Sequence, residues 1–257
     1  MHFGVRSSQR AASVVLGFAL ALASTSALAA ELMVSAATSL ADAFRDIGRA
    51  FESAHPDTRV RLNFAASGAL LQQIAKGAPV DVFASADEET MNRAEQQKLI
   101  KRGSRVDFAG NALVVVVPGD AASLPKALAD LAAPAIRRVA IGLPASVPAG
   151  RYARAALEQA KLWPTVAAKM IGAQSARQAL DYVARGEVDA GFVYATDAAV
   201  MADKVRVAFV VPTEPQVRYP IAIVVGGANP SAAQDFVTFV ASPTGQATLA
   251  RYGFVRP

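Results

Sequence analysis

The chain has no cysteine among its 257 residues, and it has only two histidines and one tryptophan. Without cysteine there are no disulfides, no thiolate metal ligands and no acceptor for a lipid anchor, so stability has to come from buried apolar area. Histidine is the usual general base for a nucleophilic serine and a common metal ligand. This composition is therefore not typical of a serine hydrolase or of a transition-metal site.

The amino terminus has the pattern of a signal peptide. Arg6 and Arg10 precede an apolar run over residues 11–23, which is too short to cross a bilayer, and a small-x-small motif follows at residues 27–29. We expect cleavage after Ala29 and a free, soluble protein in the periplasm. A membrane anchor is the alternative interpretation of the same segment. Cleavage leaves a mildly basic chain without a cluster of basic and aromatic residues, so we expect no nucleic-acid partner.

Strand-like and helix-like segments alternate after the predicted signal peptide. The strand-like runs are residues 32–36, 60–64, 80–84, 112–118, 139–142, 190–194, 205–211 and 221–225. The segments with helical spacing are residues 40–54, 68–76, 88–98, 152–161, 176–184 and 232–240. This alternation predicts an α/β fold with mainly parallel sheets flanked by helices, and ligands at the carboxyl ends of the strands.

Two long apolar runs, residues 112–118 and 221–225, suggest a division into two lobes. If these runs cross between lobes side by side, residues 30–110 and 221–257 form lobe I and residues 111–220 form lobe II. The ligand would then lie in the cleft between the lobes. A single continuous sheet with the two runs at its centre explains the pattern equally well.

Two turns far apart in the chain share one pattern. In each, an apolar run ends in small residues, reaches a serine, Ser39 or Ser67, and leads directly into a helix. Such turns present hydroxyls and free backbone N–H groups at a helix N-terminus, where the helix dipole attracts anions. The two turns therefore predict a binding site for a negative ion.

Three further residues extend this predicted site. Ala149 and Ala176 lie in the first turns of predicted helices, where their amides have no helical partner, and Tyr194 ends a predicted strand. A serine before a helix is usually a simple cap, and a tyrosine at a strand end is usually a packing residue. The combination of all five groups at the same edge of the fold favours a shared site.

The order and spacing of short motifs add a family resemblance. The motifs are residues 36–40, 64–67, 77–83, 85–87, 110–111, 147–150, 193–197, 219–220 and 251–254. They resemble, over essentially the whole mature chain, the periplasmic molybdate-binding proteins of molybdate ABC importers, which have the two-lobed type II binding-protein fold. The resemblance implies that the oxyanion, molybdate or tungstate, is held by Ser39, Ser67, Tyr194 and the amides of Ala149 and Ala176.

The resemblance also implies a monomer without a cofactor or enzymatic activity, which delivers its ligand to the membrane permease of an ABC importer. Molybdate is a fully deprotonated dianion whose oxygens only accept hydrogen bonds, so a site made only of donors suits it. Phosphate keeps a proton at neutral pH and needs an acceptor, whereas sulfate differs from molybdate mainly in size. The alternatives are a binding protein for another oxyanion such as sulfate, an exported serine hydrolase using Ser39 or Ser67, and the effector-sensing half of a transcription regulator.

Charged residues near these motifs have simpler interpretations. Arg151 and Arg177 follow the two predicted amide donors, and we interpret them as solvated first-turn residues. Asp87 is expected to cap a helix, while Asp81 and Asp197 are expected to position loops by accepting hydrogen bonds. No spacing of acidic residues or histidines resembles a metal site, so we expect molybdenum only as its oxyanion and no bare cation.

Overall fold

The computed structural model describes residues 1–2 and 30–257. The predicted signal peptide falls on residues 3–29, which lie outside this range. The strands are β1 (Ala30–Ala37), β2 (Thr58–Ala65), β3 (Val82–Ala84), β4 (Val106–Asn111), β5 (Leu113–Pro118), β6 (Val139–Gly142), β7 (Met170–Ala173), β8 (Ala190–Tyr194), β9 (Val205–Val211) and β10 (Val217–Ile223). The helices are α1 (Ala41–Ala54), α2 (Ser67–Ala75), α3 (Glu88–Gln96), α4 (Pro148–Gln159), α5 (Trp163–Ala167), α6 (Ala176–Ala184), α7 (Ala195–Val200), α8 (Pro230–Ala241) and α9 (Pro243–Arg251). Short 3-10 turns lie at Thr38–Leu40 and Leu128–Ala132.

The strands form two five-stranded sheets with the same internal plan. The first sheet has the order β2-β1-β3-β10-β4, and the second has the order β7-β6-β8-β5-β9. In each sheet the first three strands are parallel and the last two are antiparallel to their neighbours. The prediction of an α/β protein with two lobes is confirmed, but the sheets are mixed rather than mainly parallel.

The way the chain crosses between the lobes explains why each sheet contains antiparallel strands. The apolar runs of β5 and β10 were expected to cross between the lobes side by side, but they lie in different sheets. The chain instead crosses between the lobes twice, from β4 to β5 and from β9 to β10. A strand that returns from the other lobe enters its sheet in the opposite direction, so it pairs antiparallel to its neighbour.

The predicted element positions agree best where local signals are strong. β6, β8, β9 and α6 have the predicted bounds. Helix α4 begins at Pro148, four residues before its predicted start, because proline is well suited to the first turn of a helix. The elements that the sequence pattern missed are mostly short: β4, β7, α5, α7 and α9.

The boundaries of the lobes remain a proposal. Strand β10 begins at Val217 and pairs with β4 up to Asn111, so the first sheet takes in residues on both sides of the expected boundaries at 111 and 221. The core of the first lobe includes a cluster of aromatic rings in which Phe44, Phe51 and Phe236 join α1 to α8. This packing holds α1, and with it the turn that contains Ser39, against the sheet.

Candidate functional site

The carboxyl ends of the six parallel strands meet between the two lobes. β1, β2 and β3 lead to Ser39, Ser67 and Ala86, whereas β6, β7 and β8 lead to the other predicted site residues, which are Ala149, Ala176 and Tyr194. All five predicted site residues are buried. The lobes are in contact here, since the amide of Gly68 donates to the carbonyl oxygen of Ser146 over 3.0 Å. The structure therefore describes a closed arrangement of the cleft.

Ser67 and Tyr194 meet at the backbone of one residue. The amide of Ala86 donates to Ser67 Oγ over 3.0 Å, and the Tyr194 hydroxyl donates to the carbonyl oxygen of Ala86 over 3.1 Å. The Ala86 amide bonds one lone pair of Ser67 Oγ, and the Ser67 proton has no partner among residues 30–257, so it is free to bond an anion. Burial raises the pKa of Tyr194 well above its ordinary value, so the phenol remains a donor at neutral pH.

The hydroxyl of Ser39 is bonded by a side chain rather than by the backbone. Its Oγ lies 3.0 Å from the hydroxyl of Tyr219, which also accepts a hydrogen bond from Asn111 Nδ2 over 3.2 Å. The ring of Tyr219 is 5.6 Å from that of Tyr194, measured between centroids. Ser39 and Tyr194 are thus connected through one intervening phenol.

The two predicted amide donors lie at helix N-termini in the second lobe. Ala149 is the second residue of α4 and Ala176 is the first of α6, so neither amide has a helical carbonyl to bond. Among residues 30–257 neither amide has a hydrogen-bond partner. The chain just before α4 contacts Gly68, and the start of α6 packs against the turn that contains Ser39. Each amide thus belongs to a helix that contacts, directly or through the loop before it, one of the two serine turns.

The structure brings the five predicted residues to one region but does not join them directly. Ser67 and Tyr194 share Ala86, Ser39 is linked to Tyr194 through Tyr219, and the two amides approach from the facing lobe. Their polar groups are hydroxyls and amides, which can donate hydrogen bonds. Such an arrangement suits an anion whose oxygens only accept hydrogen bonds.

Arg151 and Arg177 are not the solvated first-turn residues that the sequence suggested. Arg151 Nε lies 2.9 Å from Asp87 Oδ2, and Arg177 Nη2 lies 3.0 Å from Asp42 Oδ2. Both pairs join the second lobe to the first. The interpretation as solvated residues was wrong because it considered each helix alone, whereas in the closed protein each first turn faces the other lobe.

Asp87, expected as a helix cap, and Asp81 and Asp197, expected as local acceptors, have different surroundings in the structure. Asp87 caps α3 by accepting from the amide of Thr90, and Asp81 accepts from the amides of Met33 and Asn229. Asp197 is fully buried and lies 3.3 Å from Arg177, and within the described chain one of its oxygens has no partner. Burial raises the pKa of Asp197 to about 6, and the charge of Arg177 limits the rise.

Sequence reasoning missed several residues that shape the site. These are Gly68, Ala86, Asn111 and Tyr219. The sequence did mark three of them, because Ala86, Asn111 and Tyr219 lie in the motifs at residues 85–87, 110–111 and 219–220. No local signal could show that Asn111 and Tyr219 contact each other, since they are 108 residues apart in the chain.

Two further observations concern the described residues as a whole. No helix among residues 1–2 and 30–257 is long and apolar enough to span a membrane. Within the same residues, no group of three or more histidine or acidic side chains is arranged to hold a metal ion.

Comparison with known proteins gives a consistent result. Residues 32–255 match the family model described as bacterial extracellular solute-binding protein. The chain is 37% identical over 255 residues to the molybdate-binding protein ModA of Escherichia coli, covering 95% of each chain. It is 33% identical over 233 residues to ModA of Haemophilus influenzae, covering 89% of this chain and 91% of that protein.

A solved structure agrees with these relatives. The periplasmic molybdate-binding protein of Azotobacter vinelandii superposes with a TM-score of 0.76 at 25% identity, covering 88% of this chain and 99% of that one. These relatives are named as binding proteins rather than enzymes. The chain belongs to the bacterial extracellular solute-binding proteins and has the two-lobed type II fold.

Proposed function

We propose that this protein binds molybdate, and tungstate as a near-isosteric substitute, between its two lobes. The donors are the hydroxyls of Ser39, Ser67 and Tyr194 and the amides of Ala149 and Ala176. The observation that carries the proposal is the surroundings of the two serines, because each oxygen lies beside a protein group that can donate to it, the Tyr219 hydroxyl at Ser39 and the Ala86 amide at Ser67, so that the serine protons can bond the ligand. The similarity to proteins named as molybdate-binding supports the same ligand.

The chemistry of the ligand fits this set of donors. Hydrogen bonds to a charged group are worth about 1.5–3 kcal/mol each, so five or more of them offset much of the desolvation of a dianion. Tyr194 has one proton and donates it to Ala86, so binding requires its hydroxyl to turn from that carbonyl to the oxyanion. Hydrogen phosphate would bring a proton, which either serine could accept only by turning its own proton away from the ligand.

The remaining parts of the proposed function concern location and partners. We propose that the segment over residues 1–29 directs export, that the mature protein is a periplasmic monomer, and that its closed form delivers the anion to the membrane permease of an ABC importer. Closure of the lobes would occur by bending at the two crossovers, β4 to β5 and β9 to β10.

A thermal melt tests the choice of ligand. A ligand that binds only the folded state adds about 4 kcal/mol of stability at a thousandfold excess over Kd, which raises Tm by several degrees. Molybdate and tungstate should raise Tm, while sulfate, phosphate and citrate at equal concentration should not. Stabilisation by sulfate alone would contradict the choice of molybdate, and esterase activity lost in Ser39→Ala would contradict the class of function.

A further inference from the structure

The buried hydroxyl of Tyr219 has an unambiguous hydrogen-bond direction. Its ring is fully buried, and among residues 30–257 its oxygen has two hydrogen-bond partners, Ser39 Oγ at 3.0 Å and Asn111 Nδ2 at 3.2 Å. An amide NH₂ group only donates, so Asn111 cannot accept the phenolic proton. Ser39 Oγ is therefore the acceptor of that proton.

The orientation of Asn111 is fixed in turn. Its Oδ1 accepts from the amide of Ala112 over 2.9 Å, so the other end of the side chain must be the NH₂ group. The two protons of this group go to Tyr219 and to Thr196 Oγ1, the second over 2.9 Å. A reversed amide would place its oxygen toward Thr196 and leave two N–H groups facing the amide of Ala112.

The direction of these bonds decides what Ser39 can do. If Ser39 donated to Tyr219, the phenolic proton would be buried without an acceptor, which is unfavourable. Because Tyr219 donates to one lone pair of Ser39 Oγ, the proton of Ser39 is free for a ligand. Burial also raises the pKa of Tyr219 well above its ordinary value, so the phenol keeps its proton at neutral pH.

We propose that Asn111 and Tyr219 are positioning residues that hold Ser39 as a hydrogen-bond donor toward the oxyanion. This inference rests on the proposed function and extends it to the residues that orient one of its serines. An oxyanion that carries a proton, such as hydrogen phosphate, could reach the second lone pair of Ser39 only if the buried Ser39 proton were left without a partner. The two residues contact the ligand only through Ser39.

The first test removes the phenol alone. Tyr219→Phe keeps the ring and its packing, but it removes the hydroxyl that donates to Ser39 Oγ. By calorimetry we expect affinity for molybdate to fall about fivefold, because the bond that polarises and orients the Ser39 hydroxyl is lost. The matched control is Tyr252→Phe, which loses a phenol bond to Asp46 outside the cleft and should leave this affinity unchanged.

The second test reverses the direction of the bonds. In Asn111→Asp the carboxylate only accepts, so it draws the phenolic proton away from Ser39, and Ser39 must donate to Tyr219 instead. We expect a loss of molybdate affinity close to that of Ser39→Ala. The added charge itself repels a dianion in every background, so the loss should become smaller, but not vanish, in Tyr219→Phe and in Ser39→Ala if it acts through these bonds.

The outcomes separate the two proposals. A wild-type protein that binds no molybdate would overturn the proposed function itself. If the wild type binds and Tyr219→Phe leaves the molybdate affinity unchanged, or the Asn111→Asp loss stays undiminished in the other backgrounds, the positioning role is wrong. Should Tyr219→Phe not fold, as judged by its melting curve without ligand, Asn111→Asp in the Ser39→Ala background decides the question.

Discussion

The turns at Ser39 and Ser67 look alike in sequence but are supported in different ways. Ser67 is the first residue of α2, and a backbone amide, that of Ala86, bonds its hydroxyl. Ser39 lies in a 3-10 turn before α1, and a tyrosine side chain from a distant strand bonds its hydroxyl. The same sequence pattern can therefore leave a serine proton free for a ligand in two ways. A backbone amide bonds the oxygen of Ser67, whereas a tyrosine side chain bonds the oxygen of Ser39.

The contacts between the lobes near Ser67 also differ from those near Ser39. Near Ser67, the backbone of Gly68 meets the backbone of Ser146, and the buried pair of Arg151 and Asp87 lies close by. Near Ser39, closure depends on Arg177 reaching Asp42, a pair in which both side chains are more exposed. The region around Ser67 is therefore closed more tightly, and changes there should affect closure most.

The largest effect is expected for Gly68→Ala. A Cβ at this position would lie 2.7 Å from the carbonyl oxygen and 2.8 Å from Cα of Ser146, both backbone atoms of the other lobe. The lobes would have to separate, so we expect molybdate affinity to fall about 100-fold, an overpacking cost of about 1–3 kcal/mol. Calorimetry measures the affinity, and the open form should keep its fold.

Gly48→Ala provides the matched control. Its added Cβ would meet only the side chains of Val60 and Leu62 at 3.6–3.8 Å, an ordinary contact within one lobe. It should leave affinity unchanged and raise stability slightly, because alanine favours the helix. Equal molybdate affinities for the two glycine variants would contradict the conclusion that the backbone contact at Gly68 limits closure.

The next largest effect separates the two serines directly. Ser39→Ala and Ser67→Ala should each weaken molybdate binding about 30-fold, since each loses one bond to a charged ligand. Each also leaves a buried donor unpaired, which lowers the free energy of unfolding by about 1–3 kcal/mol. Adding Tyr219→Phe to Ser39→Ala removes the unpaired donor and should recover part of that stability, as measured by urea unfolding.

No side-chain change can rescue Ser67→Ala in this way, because its unpaired donor is the amide of Ala86. Tyr219→Phe should therefore not raise the stability of the Ser67→Ala protein. A similar recovery in both backgrounds would show that the phenol acts on stability in general and not through Ser39.

A smaller effect is expected for the two bridging arginines. Arg151 and Asp87 are 14% and 4% exposed, whereas Arg177 and Asp42 are 23% and 30% exposed. A carboxylate left without its partner costs more when it is buried, so Arg151→Gln should weaken binding about tenfold and Arg177→Gln about threefold. Arg154→Gln, whose pair with Glu158 lies within α4, is the control and should have no effect on calorimetric affinity.

The smallest effect on binding is expected for Asp197→Asn, which instead changes how stability depends on pH. The pKa of Asp197 is raised to about 6 in the folded protein, so the folded state binds more protons than the unfolded state between about pH 4 and 6. The stabilisation that arises from this extra proton is complete below that pH range and is lost as the pH rises through 6. In urea unfolding, the variant should gain stability relative to wild type from pH 4 to 7, on the order of 2 kcal/mol.

A difference in stability that stays constant over this pH range would contradict the raised pKa. Arg177 and Asp42 are the charged groups that face Asp197, and the same measurement in Arg177→Gln should move the transition to higher pH. A transition at higher pH in Arg177→Gln would identify Asp197 as a titrating group in the region around Ser39.

The sequence by itself determined the parts of this protein that depend on neighbouring residues. The alternation of apolar runs predicted the α/β class, and the small residues before Ser39 and Ser67 predicted helix starts that bind an anion. The first turns of α4 and α6 predicted two free amides because the orphan N–H groups of a helix follow from its local geometry. The motifs around these residues were enough to indicate the family.

Only the tertiary structure decided what surrounds those groups. Ser39 and Tyr219 are 180 residues apart, and no period or cap relates them. The same is true of the arginines that bridge the lobes and of the antiparallel strands that return from one lobe to the other. Local signals arise from backbone geometry within a few residues, whereas the direction of a buried hydrogen bond depends on which distant donor the closed fold places beside it.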